Sequence, residues 1–158
     1  MGIKKNIKAY FNRKKRLSEL KTESVRNFDL YDTSKKTIVF FSTSFPTHDK
    51  DSGSNRHKEI IFLFRKLKYN CIVAVENVFE DNKYVDFYTE NNCIVFVENT
   101  KLCFWDFIKK IPKVDFLWFN GPLSFDRYFE KSKKITGAKA IFDMVDVHFL
   151  RFKRAIDL

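Results

Sequence analysis

Three short polar clusters in this chain each follow an apolar run, and their residue types suit anion binding and proton transfer. The first, at 44–56, contains Ser52, Gly53, Ser54 and Arg56. Gly53 would let backbone approach a ligand closely, the amides that follow Ser54 would aim donors at an anion, and Arg56 could face the same charge. An ordinary turn and helix cap would use the same residues. The second cluster is Asn120 and Gly121, followed by Pro122. The third, 143–148, sets His148 after Asp143 and Asp146. A carboxylate there could fix the imidazole tautomer for binding a hydroxyl or moving a proton. The alternative is a histidine satisfied by local backbone at a helix start.

Other chemistries lack their residues. Asp49, Lys50 and Asp51 form a DxD triplet beside His48, a pattern that elsewhere can hold a divalent ion against a diphosphate, but in the first strand's loop it reads as a solvated charged turn. His48, His57 and His148 have no ligand spacing, and no GxGxxG, Walker lysine or GxSxG elbow is present. Neither a metal nor an organic cofactor is expected. Cys71, Cys93 and Cys103 show no CxxC or CxxH pattern, and two of them fall in apolar runs, which reads as free buried thiols in a reducing compartment.

The elements that must position the clusters follow from the apolar runs. Residues 37–41 are β-branched and aromatic without alternation, which predicts a central parallel strand covered on both faces. Ser52 or Ser54 would cap a helix whose Ile60, Leu63, Phe64 and Leu67 recur at helical spacing. Strands are predicted at 71–75, 93–97, 114–119 and 138–142, with helices at 83–90, 102–110 and 124–135, the last closed by Gly137. Strands alternating with helices predict an α/β fold: a Rossmann-like open parallel sheet of about five or more strands with helices on both faces. Ligands of such sheets bind beyond the carboxyl ends of the strands, so the three clusters would share one edge.

The 158 residues suit one domain, and 44% hydrophobic content with 19 phenylalanines supplies a core. The net charge of +10 is uneven, because residues 1–26 hold nine Lys/Arg against two Asp/Glu. Residues 1–32 therefore read as a basic arm, and 36–158 as the domain. The near balance beyond the arm argues against a nucleic-acid partner. Ile3, Ile7, Tyr10, Phe11 and Leu17 give the arm a thin apolar stripe, which reads either as an interfacial helix drawn to anionic lipid or as a solvated lead-in. No apolar run reaches membrane-spanning length, the N-terminus lacks a secretory h-region, and Asn6 breaks the myristoylation pattern. The cytoplasm is the expected compartment, with the arm able to hold the chain at the inner membrane face.

Two stretches, FFSTSFPTHDKDSGSNRHKEIIFLFRKLK and AIFDMVDVHFLRFKRA, resemble segments of GT-B-type retaining glycosyltransferases of the family-4-like group. The resemblance spans roughly Lys36 to Ile156. It implies the amino-terminal, acceptor-side domain of an enzyme that moves a sugar from a nucleotide-sugar to a glycan or lipid-linked acceptor, in cell-surface polysaccharide synthesis. On that likeness Gly53 and its neighbours would face the donor diphosphate, Arg56 would help neutralise it, His148 would lie near the transferred sugar, and Asp146 would orient that segment. Asn120, Gly121 and Asp143 would belong to the acceptor side. The family's carboxyl-terminal nucleotide-sugar domain has no counterpart here. The expectation is thus a domain with little or no transfer activity alone, either the product of a truncated gene or one half of a split enzyme whose partner domain another chain would supply. A non-catalytic binding or assembly module, or a gene remnant, of the same fold is the competing expectation. A flavodoxin- or receiver-like signalling domain would need acidic residues where Ser42, Thr43 and Ser44 stand.

Overall fold

The computed structural model describes residues 24–77, 83–98 and 102–144. Six strands form one sheet: β1 (Val25–Arg26), β2 (Thr37–Ser44), β3 (Asn70–Asn77), β4 (Ile94–Val97), β5 (Phe116–Asn120) and β6 (Lys139–Asp143). Among the described residues four helices connect them: α1 (Ser52–Lys66), α2 (Lys83–Glu90), α3 (Phe104–Lys110) and α4 (Pro122–Thr136). The strand order is β1-β4-β3-β2-β5-β6, with β1 antiparallel to β4 and every other pair parallel. The parallel part thus has the Rossmann-like order, and the direction of winding reverses between β2 and β5.

The apolar runs at β2, β3 and β4 lack alternation because both faces are covered. Val39, Phe41, Ile72, Ala74, Ile94, Phe96, Leu117 and Phe119 pack on one side with Phe104, Phe107 and Ile108 of α3 and Tyr128 of α4. Ile38, Phe40, Val73, Val75 and Val95 pack on the other with Ile61 of α1 and Val85 and Tyr88 of α2. Each fully buried phenylalanine or isoleucine contributes about 1.5–3 kcal/mol, so the two layers dominate the stability. The register sets Phe41 beside Phe119 and Asn120 beside Asp143, which aligns the strand ends that carry the polar clusters.

Three features depart from the sequence reading. Strand β2 continues through Ser44, so Ser42 and Thr43 belong to the sheet rather than to the loop. Helix α1 turns a different face inward: His57 and Ile61 are buried, whereas Leu63 and Leu67 are exposed. Residues 24–32, taken with the arm, are built into the domain. There β1 pairs with β4, Phe28 and Tyr31 of the adjoining single-turn segment pack on the core, and the Asn27 side chain donates to the carbonyls of Thr89 (2.7 Å) and Cys93 (3.2 Å). The remainder of the arm, residues 1–23, lies outside the described residues. Among the described residues no helix is long and apolar enough to cross a membrane.

Candidate functional site

The carboxyl ends of β2, β5 and β6 meet at the point where the winding reverses. Residues of all three predicted clusters come together there, the third represented by Asp143. Asp51 is the residue that caps α1: its carboxylate accepts from the Ser54 amide at 2.7 Å and from the Thr47 hydroxyl at 2.9 Å. This corrects the expected cap at Ser52 or Ser54, both of which lie inside the first turn. An aspartate satisfies the free amides and also carries the charge that a helix start favours, so it outcompetes a serine one or three residues on. Gly53 is helical as well, so its service there is the absence of a side chain and not an unusual backbone angle.

Arg56 and Asp143 form the centre of the site. One guanidinium nitrogen of Arg56 donates to both carboxylate oxygens of Asp143, at 2.9 Å each, and the Trp118 indole N–H donates to the same carboxylate at 3.3 Å. The Arg56 side chain remains 52% exposed while that of Asp143 is 5% exposed. A buried carboxylate therefore orients an arginine whose outer face looks into solvent. Gly121, the cap of α4, adopts φ 82° and ψ 168°, a conformation essentially restricted to glycine, and its amide donates to the Asp143 carbonyl at 2.9 Å. The Ser124 hydroxyl closes the turn by donating to the Asn120 and Gly121 carbonyls, at 2.8 and 2.9 Å.

Under the ion pair lies His57, whose ring is sealed between α1 and the sheet with the Phe40 ring 5.8 Å away. Burial pulls its imidazole down from 6.5 to about 4; the nearby Asn120 side chain and the Asp143 charge oppose the shift and Arg56 adds to it. The ring is neutral at physiological pH. Both ring nitrogens and the Asn120 side-chain oxygen are buried without a hydrogen-bond partner among the described residues. The Asn120 side chain nonetheless lies close enough to favour the charged ring, so the two polar groups face each other beneath the ion pair without closing a short hydrogen bond. The sequence reading weighs His57 only by its spacing to other histidines and so passes over it. The usable signal is its position on the inward stripe of α1, four residues before Ile61.

A second arginine repeats the design across β2. Arg127 of α4 donates to the Glu76 carboxylate at the end of β3, with the arginine 50% exposed and the glutamate 8% exposed. Nothing in the sequence pairs these residues, which are 51 positions apart. Apolar side chains rim the same edge: Leu123, Phe142 and Met144 are exposed, and the Phe142 ring packs on Phe125 at 4.8 Å. Asp146 and His148 lie outside the described residues. Among the described residues no group of three His, Cys, Asp or Glu side chains is placed to hold a metal ion. Comparisons with protein-family models, curated proteins and solved structures found no match to this chain.

Proposed function

We propose that this chain carries the amino-terminal, acceptor-side wall of a GT-B-type sugar-transfer cleft. The observation that carries the reading is the carboxyl edge itself: Arg56 held by Asp143, with Trp118, Asn120, Gly121 and the buried His57 around it, at the reversal point of a Rossmann-like sheet. Ligands of such sheets bind at this point. Two half-exposed guanidiniums, Arg56 and Arg127, each set by a buried carboxylate, suit the phosphates of a nucleotide-sugar. The α1 helix start beside them is already capped by the Asp51 carboxylate, so the anion would rest on the two guanidiniums. In this reading, as the resemblance implies, His148 would meet the sugar and Asp146 would set its orientation. The acceptor would be a glycan or a lipid-linked sugar.

A second reading, a non-catalytic binding module of the same fold, draws on the exposed Leu123, Phe142 and Met144, an apolar rim suited to a protein partner. Trp118 separates the two. The chain has two tryptophans, so Trp105→Phe leaves Trp118 as the only indole. Its emission should change saturably on titration with UDP- or GDP-sugars, and the response should be lost in Arg56→Met and Asp143→Asn. A flat titration with every nucleotide-sugar and with free nucleotide, in a protein whose calorimetry is equally silent, would refute the sugar-transfer reading.

A further inference from the structure

We infer that the amino-terminal edge of the sheet, opposite the candidate site, docks on an anionic phospholipid surface through residues distinct from those of the basic arm. The inference does not rest on the proposed sugar transfer. In a right-handed parallel fold each helix runs back against its strands, so the helix ends and the strand starts share one edge. That edge gathers exposed lysines from two sources, together with part-buried Arg65. Lys66, Lys109, Lys110, Lys133 and Lys134 lie in the last turns of α1, α3 and α4, where they complement the helix dipoles. Lys35, Lys36, Lys113 and Lys139 lie outside the helices, in linkers and at a strand start, and Lys68 stands just past the end of α1.

The carboxylates of this edge are Asp29, Asp32, Glu90, Asp115 and Asp106, of which Asp32, Asp115 and Asp106 pair with Lys35, Lys113 and Lys109. Over the described residues 18 lysines and arginines stand against 14 carboxylates, so with eleven and five of these at one edge the remaining surface is net acidic. Among the cations stand two exposed leucines, Leu30 at 45% and Leu67 at 58%. Leu30 also lines a cleft of about 380 Å³ with Lys35, Arg65 and Lys68, in which no carboxylate takes part. Cations interleaved with exposed leucines match a bilayer interface, where phosphate headgroups meet the charge and the acyl boundary takes the side chains. A nucleic acid in water offers the leucines nothing.

The test uses the full chain and vesicles of phosphatidylglycerol with phosphatidylcholine, against phosphatidylcholine alone. Reversing Lys66, Lys68, Lys110 and Lys134 to glutamate should weaken co-sedimentation with the anionic vesicles by roughly several hundredfold, from about fivefold per surface charge, although the arm is intact. If the reversals unfold the protein, as circular dichroism would show, the glutamine versions at the same positions give the same reading with a smaller loss. The indole added by Leu67→Trp, read as the difference from the parent chain's emission, should shift to the blue on anionic vesicles and stay unchanged on neutral ones. Sedimentation that falls only when the lysines of residues 1–23 are reversed would overturn the inference. So would a Leu67→Trp variant whose emission ignores anionic lipid, or an edge that binds RNA at moderate salt while ignoring the vesicles.

Discussion

Replacing His57 with leucine should flatten the dependence of this protein's stability on acid. The imidazole has its ordinary value of 6.5 in the unfolded chain and about 4 in the folded one, because burial disfavours the charged ring. Between those two values the unfolded state binds more protons than the native state, so stability rises with pH across the window. The sign is fixed by the depressed value: the contribution is complete above about pH 6.5 and falls as pH drops toward 4. A gap of this size corresponds to about 3 kcal/mol, a large share of the 5–15 kcal/mol typical of a domain. The assay is urea unfolding of the full chain and of His57→Leu across that window. The difference between the two curves isolates His57 from His48 and His148, which both proteins keep. At neutral pH the leucine should change stability by no more than about 1–2 kcal/mol, since the apolar group avoids burying two ring nitrogens that close no short hydrogen bond but gives up the interaction with the Asn120 side chain. The reasoning fails if the two proteins lose stability in parallel, or if nuclear magnetic resonance finds the His57 ring titrating near 6.5.

Gly121→Ala tests the turn that joins β5 to α4. A Cβ added there meets nothing within 4 Å, so the expected cost, about 1–3 kcal/mol, comes from the backbone conformation at φ 82° alone; a thermal melt equal to the native protein's would refute it. The three thiols should react unequally with an aromatic disulfide reagent. Burial raises Cys71 and pushes Cys93 up to about 12, while half-buried Cys103 lies outside the sheet. One thiol should therefore titrate in the native protein and the other two only on unfolding, and fast modification of Cys71 or Cys93 under native conditions would contradict the packing.

The fold was legible because the sheet is buried on both faces. Runs such as 37–41 and 71–75 are apolar without alternation only when helices cover each side, and the helices between them left clear periodicity. Strand β1 was not legible. Two residues carry no pattern, and Val25 and Arg26 are extended only because β4 offers an open edge, with the Asn27 side chain fastening the turn that follows. The inward face of α1 escapes a sequence reading for a related reason. A hydropathy count favours Leu63 and Leu67 over His57, but the helix is oriented by the packing of Ile61 and Phe64 against β2 and its neighbours, and that orientation carries His57 inside. The site's residues were partly visible as polar clusters after strands. Its pairings were not, since Arg56 reaches Asp143 across 87 positions and Arg127 reaches Glu76 across 51.

The charge of the domain shows how far a sum can mislead where placement decides. A near balance of acids and bases beyond residue 26 argues from the sequence against a basic face. Alternating strands and helices separate those charges, because every helix ends at the edge where the next strand begins. Lysines that complement three helix ends therefore gather at one edge, joined by the lysines of the linkers. The carboxylates Asp51, Glu76, Glu98 and Asp143 collect at the other, where strands end and helices start. Two of them, Glu76 and Asp143, each hold an arginine toward solvent. A domain built this way presents oriented guanidiniums at one edge and a lysine-rich surface at the other. The alternation that fixes the fold therefore also fixes which edge can receive a small anion and which can lie against an anionic surface.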